Sequence, residues 1–114
     1  MITGMDHMGL VVQDIEKQLA FYRDALGLLV DHDRDVRAPA EGDHTGISNV
    51  HRRLIFLKSP SGEPMFELIE YISPKSPTGH ILDHHQVNSI HLCFKVVAIG
   101  STWSRTTRPN KVSA

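Results

Sequence analysis

The run from Asp6 to Leu28, DHMGLVVQDIEKQLAFYRDALGL, contains a strand, a capped helix and a stop signal in succession, and it constrains everything that follows it. From His7 to Val12 the side chains alternate, with Met8, Leu10 and Val12 on one apolar face and His7, Gly9 and Val11 on the other. Asp14 stands where an N-cap belongs. Ile15, Leu19, Tyr22 and Leu26 then recur at the three-to-four spacing that lays one stripe along a helix, and Gly27 supplies the left-handed residue that ends it. The strand's apolar face and the helix stripe must bury against each other, which leaves His7 on the far face of the strand. A histidine directed away from that packing into a concavity is the first place to look for chemistry.

A chain of 114 residues is expected to fold as one domain with a modest core. Its single cysteine, Cys93, cannot form an internal bridge and reads as a small residue at the core's edge with no redox role. The N-terminal MITGMDHM has neither a basic region nor an apolar one, and no run approaches the ~20 apolar residues that cross a bilayer. These features predict a soluble, cytoplasmic protein. Twelve Lys and Arg against 13 Asp and Glu leave a net charge of −1, so charge offers no case for nucleic acid or a membrane as partner. The compositional excess is in histidine, of which there are eight. Histidine is the commonest metal ligand among side chains.

Leu28 to Arg37 reads as a second strand whose charges, Asp31, Asp33, Arg34 and Asp35, suit a water-facing edge. Ala38 to Gly46 is loop, and the stretch as far as Val50 is expected to line an entrance. Arg52 to Lys58 is an apolar strand closed by the turn Ser59-Pro60-Ser61-Gly62, and Met65 to Ile72 follows at hairpin distance. Alternation places Glu67 on one face with Met65, Ile69 and Tyr71, and sets Phe66, Leu68 and Ile72 with Glu70 on the other. A carboxylate among apolar neighbours is protonated, paired with a base, or bound to a cation. Pro74 to Asn88 reads as linker. Within it His80 and His84, four apart, are expected to be exposed rather than a ligand pair.

At Ile90 to Val97 the opening design returns. Aligned without gaps, His91 falls on His7, Leu92 on Met8, Phe94 on Leu10, Val96 on Val12 and Ile99 on Ile15, all at one offset. Two copies of one supersecondary unit packed together would bring both histidines to a shared cavity. In this alignment Cys93 and Lys95 share the cavity side with His91, and Lys95 there reaches solvent or meets an anionic substrate.

Four segments together, Asp6 to Val12, Phe21 to Gly27, Phe66 to Tyr71 and Ile90 to Leu92, resemble the vicinal oxygen chelate superfamily. Its members include glyoxalase I, methylmalonyl-CoA epimerase, extradiol dioxygenases and bleomycin and fosfomycin resistance proteins. The resemblance implies an α+β fold of paired βαβββ modules around a divalent metal. It makes residues 1–74 the first module, 75–88 a linker, and 89–114 the start of a second module, here truncated, with an irregular tail. It also implies His7, Glu67 and His91 as metal ligands, Glu67 in the catalytic role, and a homodimer.

Two imidazoles and a carboxylate suit Zn, Ni, Co, Mn or Fe(II) and leave positions open for a substrate with neighbouring oxygens, on which an enediolate can be stabilised. The order His, Glu, His resembles the isomerase and epimerase branch of that superfamily, and the resemblance implies a lyase, isomerase or epimerase of the lactoylglutathione lyase kind. The alternatives are an extradiol-type dioxygenase, a metal-free ligand-sequestering protein of the antibiotic-resistance type, and an inactive dimer. A fourth ligand and a general base from the second module are not assigned, because the matching strand is not in this sequence.

Overall fold

The computed structural model describes residues 1–97, which fall into two compact units, Met1–Thr78 and the described residues from Gly79 onward. In the first, the order is β1 (Met8–Val11), α1 (Ile15–Leu19) continuing as a π-helical turn (Ala20–Ala25), β2 (Leu29–Arg37), β3 (His51–Lys58) and β4 (Pro64–Ser73). This is the strand, helix, strand, strand, strand order expected from the sequence. The four strands form one sheet in the order β1-β4-β3-β2, with β1 parallel to β4 and the other pairs antiparallel. The α+β class and the βαβββ order are therefore as expected, and β2 is the edge strand its charges suggested.

The helix begins where the sequence placed it. Asp14 Oδ1 accepts the Lys17 N–H at 3.2 Å, and Glu70, reaching across from β4, accepts the Ile15 N–H at 2.7 Å. Two carboxylates thus satisfy donors that the first helical turn leaves open. Its second half differs from a plain α-helix. The Leu26 N–H reaches back five residues to the Phe21 carbonyl, a π-type bond, before Gly27 at φ +82° ends the element. Ile15, Leu19 and Tyr22 nevertheless bury as one stripe. Ile55, Leu57, Phe66 and Leu68, the inward residues of β3 and β4, are buried likewise, and the Tyr22 and Phe66 rings contact edge to face at 4.9 Å. Each such fully buried side chain contributes about 1.5–3 kcal/mol, so this layer carries the unit's stability.

A charged layer closes the helix side of the sheet. Arg53 donates to both carboxylate oxygens of Asp33 and also to Glu16, tying β3 to β2 and to the helix. On the opposite side Arg52, the buried charged residue of the unit, donates to Asp43 at 3.0 Å. Asp43 also accepts the Thr45 hydroxyl and amide. That pair pins the loop between β2 and β3 against the sheet.

One irregularity in β2 bears on the site. Val30 pairs with Leu57 and His32 pairs with Phe56, so Asp31 is an extra residue bulged out of the ladder. Unbroken alternation would set Asp31 opposite Phe56 and turn His32 to the helix side. The bulge exchanges them.

In the second unit, residues 79–97 form turns and irregular backbone. His80 and His84 lie in a segment of turns, not a helix. The strand expected at Ile90 to Val97 is not formed, because a strand exists only by pairing and these residues have no ladder partner among the described residues. The alternation itself persists, with Leu92 and Phe94 half-buried between exposed His91, Cys93 and Lys95, so Cys93 is not the core-edge residue expected. The repeat positions Ile99 and Trp103 lie outside the described residues. Among the described residues no helix is long and apolar enough to cross a membrane.

Candidate functional site

The sheet's face opposite the helix carries the site, and strand register assembles it. Reading across the four strands, His32, Phe56, Glu67 and Gly9 are successive cross-strand partners and form one row. His7 lies two residues before Gly9, on the same face by alternation. Glu67, singled out from the sequence as a carboxylate among apolar residues, is indeed largely enclosed, its side chain 13% exposed.

Gly9 explains how Glu67 fits there. A Cβ on Gly9 would lie 3.3 Å from Glu67 Oε1 and 3.2 Å from Ile69 Cδ1, so the hydrogen of glycine leaves the space the carboxylate occupies. With that space open, Glu67 Oε1 stands 3.9 Å from His7 Nε2. This is too long for a hydrogen bond. It falls within the span of two ligands on one cation, whose bonds of about 2.0–2.2 Å allow ligand separations of roughly 3–4 Å.

The other ring nitrogen fixes which end of His7 is basic. His7 Nδ1 lies 2.5 Å from Asp6 Oδ2. An ionised carboxylate only accepts, so Nδ1 carries the hydrogen and the Nε2 lone pair is directed to the Glu67 side. Carboxylate, imidazole and open lone pair in series is how metal-binding histidines are held. The ring is further fixed by an edge contact with Phe56 at 5.0 Å.

A second imidazole shares this neighbourhood, and sequence reasoning missed it. His32 stacks on Phe56, centroids 4.3 Å apart and planes 22° from parallel, and its Nδ1 lies 2.9 Å from Asp31 Oδ2. The His32 imidazole, with Lys58 beside it, holds Asp31 below the usual carboxylate range. A cavity of about 200 Å³ opens between the two histidines, lined by Asp6, His7, Asp31, His32, Phe56 and Met65 among others. Alternation alone would turn His32 to the helix side, because a one-residue bulge is invisible to it. The Asp-His dipeptide does not single His32 out, since it occurs at Asp6-His7, Asp31-His32, Asp43-His44 and Asp83-His84 alike.

The first unit thus brings together His7 and Glu67. His91 belongs to the second unit, where it lines a hollow of about 290 Å³ with His80 and His84. Among the described residues no group of three His, Cys, Asp or Glu side chains is gathered in the manner of a metal centre.

Comparison with known proteins agrees with the architecture. A family model described as the Glyoxalase/Bleomycin resistance protein/Dioxygenase superfamily matches residues 6–108. The crystal structure of a glyoxalase family protein from Bacillus cereus superposes with a TM-score of 0.62 at 21% sequence identity, over 79% of this chain and 58% of that one. The present chain thus spans little more than half the length of that structure, and at this identity the likeness speaks for the fold. No curated protein matches the sequence.

Proposed function

Because the chain belongs to the glyoxalase/bleomycin resistance protein/dioxygenase superfamily, we propose that it is a divalent-metal-dependent lyase or isomerase of the glyoxalase type. Its substrate would be a small molecule with two neighbouring oxygens. The observation that carries this reading is the pairing of His7 Nε2 with Glu67 Oε1 at 3.9 Å, with Asp6 behind the imidazole. In this reading His7 and Glu67 hold the cation, and His91 supplies the third ligand.

Neutral imidazole and carboxylate together suit zinc, nickel, cobalt, manganese or ferrous iron. When bound, such a cation supplies Lewis-acid stabilisation of charge developing on substrate oxygen. The chain's own residues do the rest. Asp6 keeps the Nδ1–H tautomer of His7, Gly9 leaves room for the Glu67 carboxylate, and Phe56 holds the ring plane. The cavity beside His7 receives the substrate. Homodimerisation belongs to the same reading, since Val11 on the edge strand β1 is exposed on the site's own face and a second copy would cover it.

The test is metal content of protein purified without an affinity tag, for the natural sequence and for His7→Ala, Glu67→Gln and His91→Ala. The natural sequence should carry one divalent ion per chain and each variant should lose it. Equal metal in all four preparations would refute the assignment.

A further inference from the structure

We propose that His32, oriented by Asp31, is the group that takes up and returns a proton at the substrate carbon beside the carbonyl; this inference rests on the metal-dependent reading above. The bulge at Asp31 turns His32 from the helix side onto the site's face. Bulges that re-aim a side chain recur next to active sites. His32 then occupies the same cross-strand row as Glu67, with only Phe56 between them, and lines the same cavity as His7.

Its chemistry suits proton transfer. The Asp31 carboxylate accepts from Nδ1, which leaves Nε2 as the basic nitrogen, and the stack on Phe56 fixes the ring plane. The charged and titratable groups facing it are Asp31 on its own strand, Lys58 on β3, Asp6 and His7 across the cavity, and Glu67 on β4 beyond Phe56. Glu67 and His7 are turned to each other, so His32 is the cavity imidazole left with a lone pair not so engaged.

The step balances without a further reagent. The carbon–hydrogen bond beside the carbonyl breaks, the proton goes to His32 Nε2, and the electron pair moves onto the neighbouring carbonyl oxygen. The imidazolium then returns the proton to the same carbon, or to the adjacent carbon as the hydroxyl proton passes to the neighbouring oxygen. Asp31 is a positioning residue, holding the tautomer and stabilising the imidazolium that forms.

Hydroxyacetone, which has two neighbouring oxygens, is the probe. Zinc-loaded protein in deuterium oxide is followed by proton NMR for loss of the probe's carbon-bound hydrogens. The natural sequence should accelerate exchange over zinc in buffer. His32→Gln, and His32→Phe, which keeps a flat ring on Phe56, should each slow it about 100-fold with zinc content unchanged. In metal-free protein, nitrogen-15 NMR should report the Nδ1–H tautomer at His32 and a mixture in Asp31→Asn. Undiminished exchange in both His32 variants would overturn the proton-transfer role and leave the metal-dependent reading standing. Loss of zinc from both would overturn the role by making His32 a ligand or a structural residue. Zinc-loaded natural protein that fails to exchange the probe would overturn the enolising reading and the role of His32 with it.

Discussion

Gly9→Ala separates the site from the scaffold that carries it. Gly9 sits in β1 with ordinary strand dihedrals, so an alanine fits the backbone and restricts the unfolded chain, an effect worth about 0.5–1 kcal/mol in favour of folding. Against this stand two close contacts, 3.2 Å to Ile69 Cδ1 and 3.3 Å to Glu67 Oε1. Both are tips of flexible side chains and need yield only a few tenths of an ångström. Overpacking here is therefore at the low end of the usual ~1–3 kcal/mol. The two effects offset to within about 1 kcal/mol, or a Tm change under about 8 °C. The same oxygen that meets the new methyl is the one 3.9 Å from His7 Nε2, so any yielding there alters the pair. Metal affinity, read by isothermal titration with zinc, should fall about 10-fold, equivalent to about 1.4 kcal/mol. Natural affinity in the variant would refute the claim that Gly9 makes room for Glu67, and a loss of 3 kcal/mol or more of stability would show that the strand does not accept the side chain.

Two further outcomes test the scaffold itself. Glu70→Ala removes the acceptor of the Ile15 N–H and should cost about 1–2 kcal/mol by thermal melting; unchanged zinc affinity is expected because Glu70 lies on the helix side, and an affinity loss as large as that of Glu67→Gln would contradict the face assignment. Asp43 is held down from 3.8 to about 2, chiefly by the Thr45 hydroxyl and then its amide, with Arg52 adding to this. A lowered folded-state value means its contribution is present above pH 3.8 and is lost as pH falls through about 2, so the stability gap between the natural sequence and Asp43→Asn should close across that window, and a constant gap would rule out the clamp.

Much of the first unit was legible in the sequence because its signals are local. Periodicity of two identified the strands, the stripe Ile15, Leu19, Tyr22 identified the buried helix face, and Asp14 and Gly27 marked its ends. Glu67 was legible for the same reason, as a carboxylate out of place in an apolar alternation. Glu70 was assigned to the correct face, opposite that of Glu67, but nothing local says that its carboxylate reaches the helix N-terminus 55 residues away.

By itself, then, the sequence determined which residues could share a face, since alternation and helical spacing are properties of the backbone and need no partner. Tertiary structure alone decided which faces meet and where alternation breaks. Register between β2 and β3 placed the bulge at Asp31 and so brought His32 beside Phe56, and parallel pairing of β1 with β4 set the Gly9 gap against Glu67. Ile90 to Val97 shows the same division from the other side: the alternating pattern is present in the residues, but a ladder needs a second strand, and hydrogen bonds between strands are not written in either strand alone.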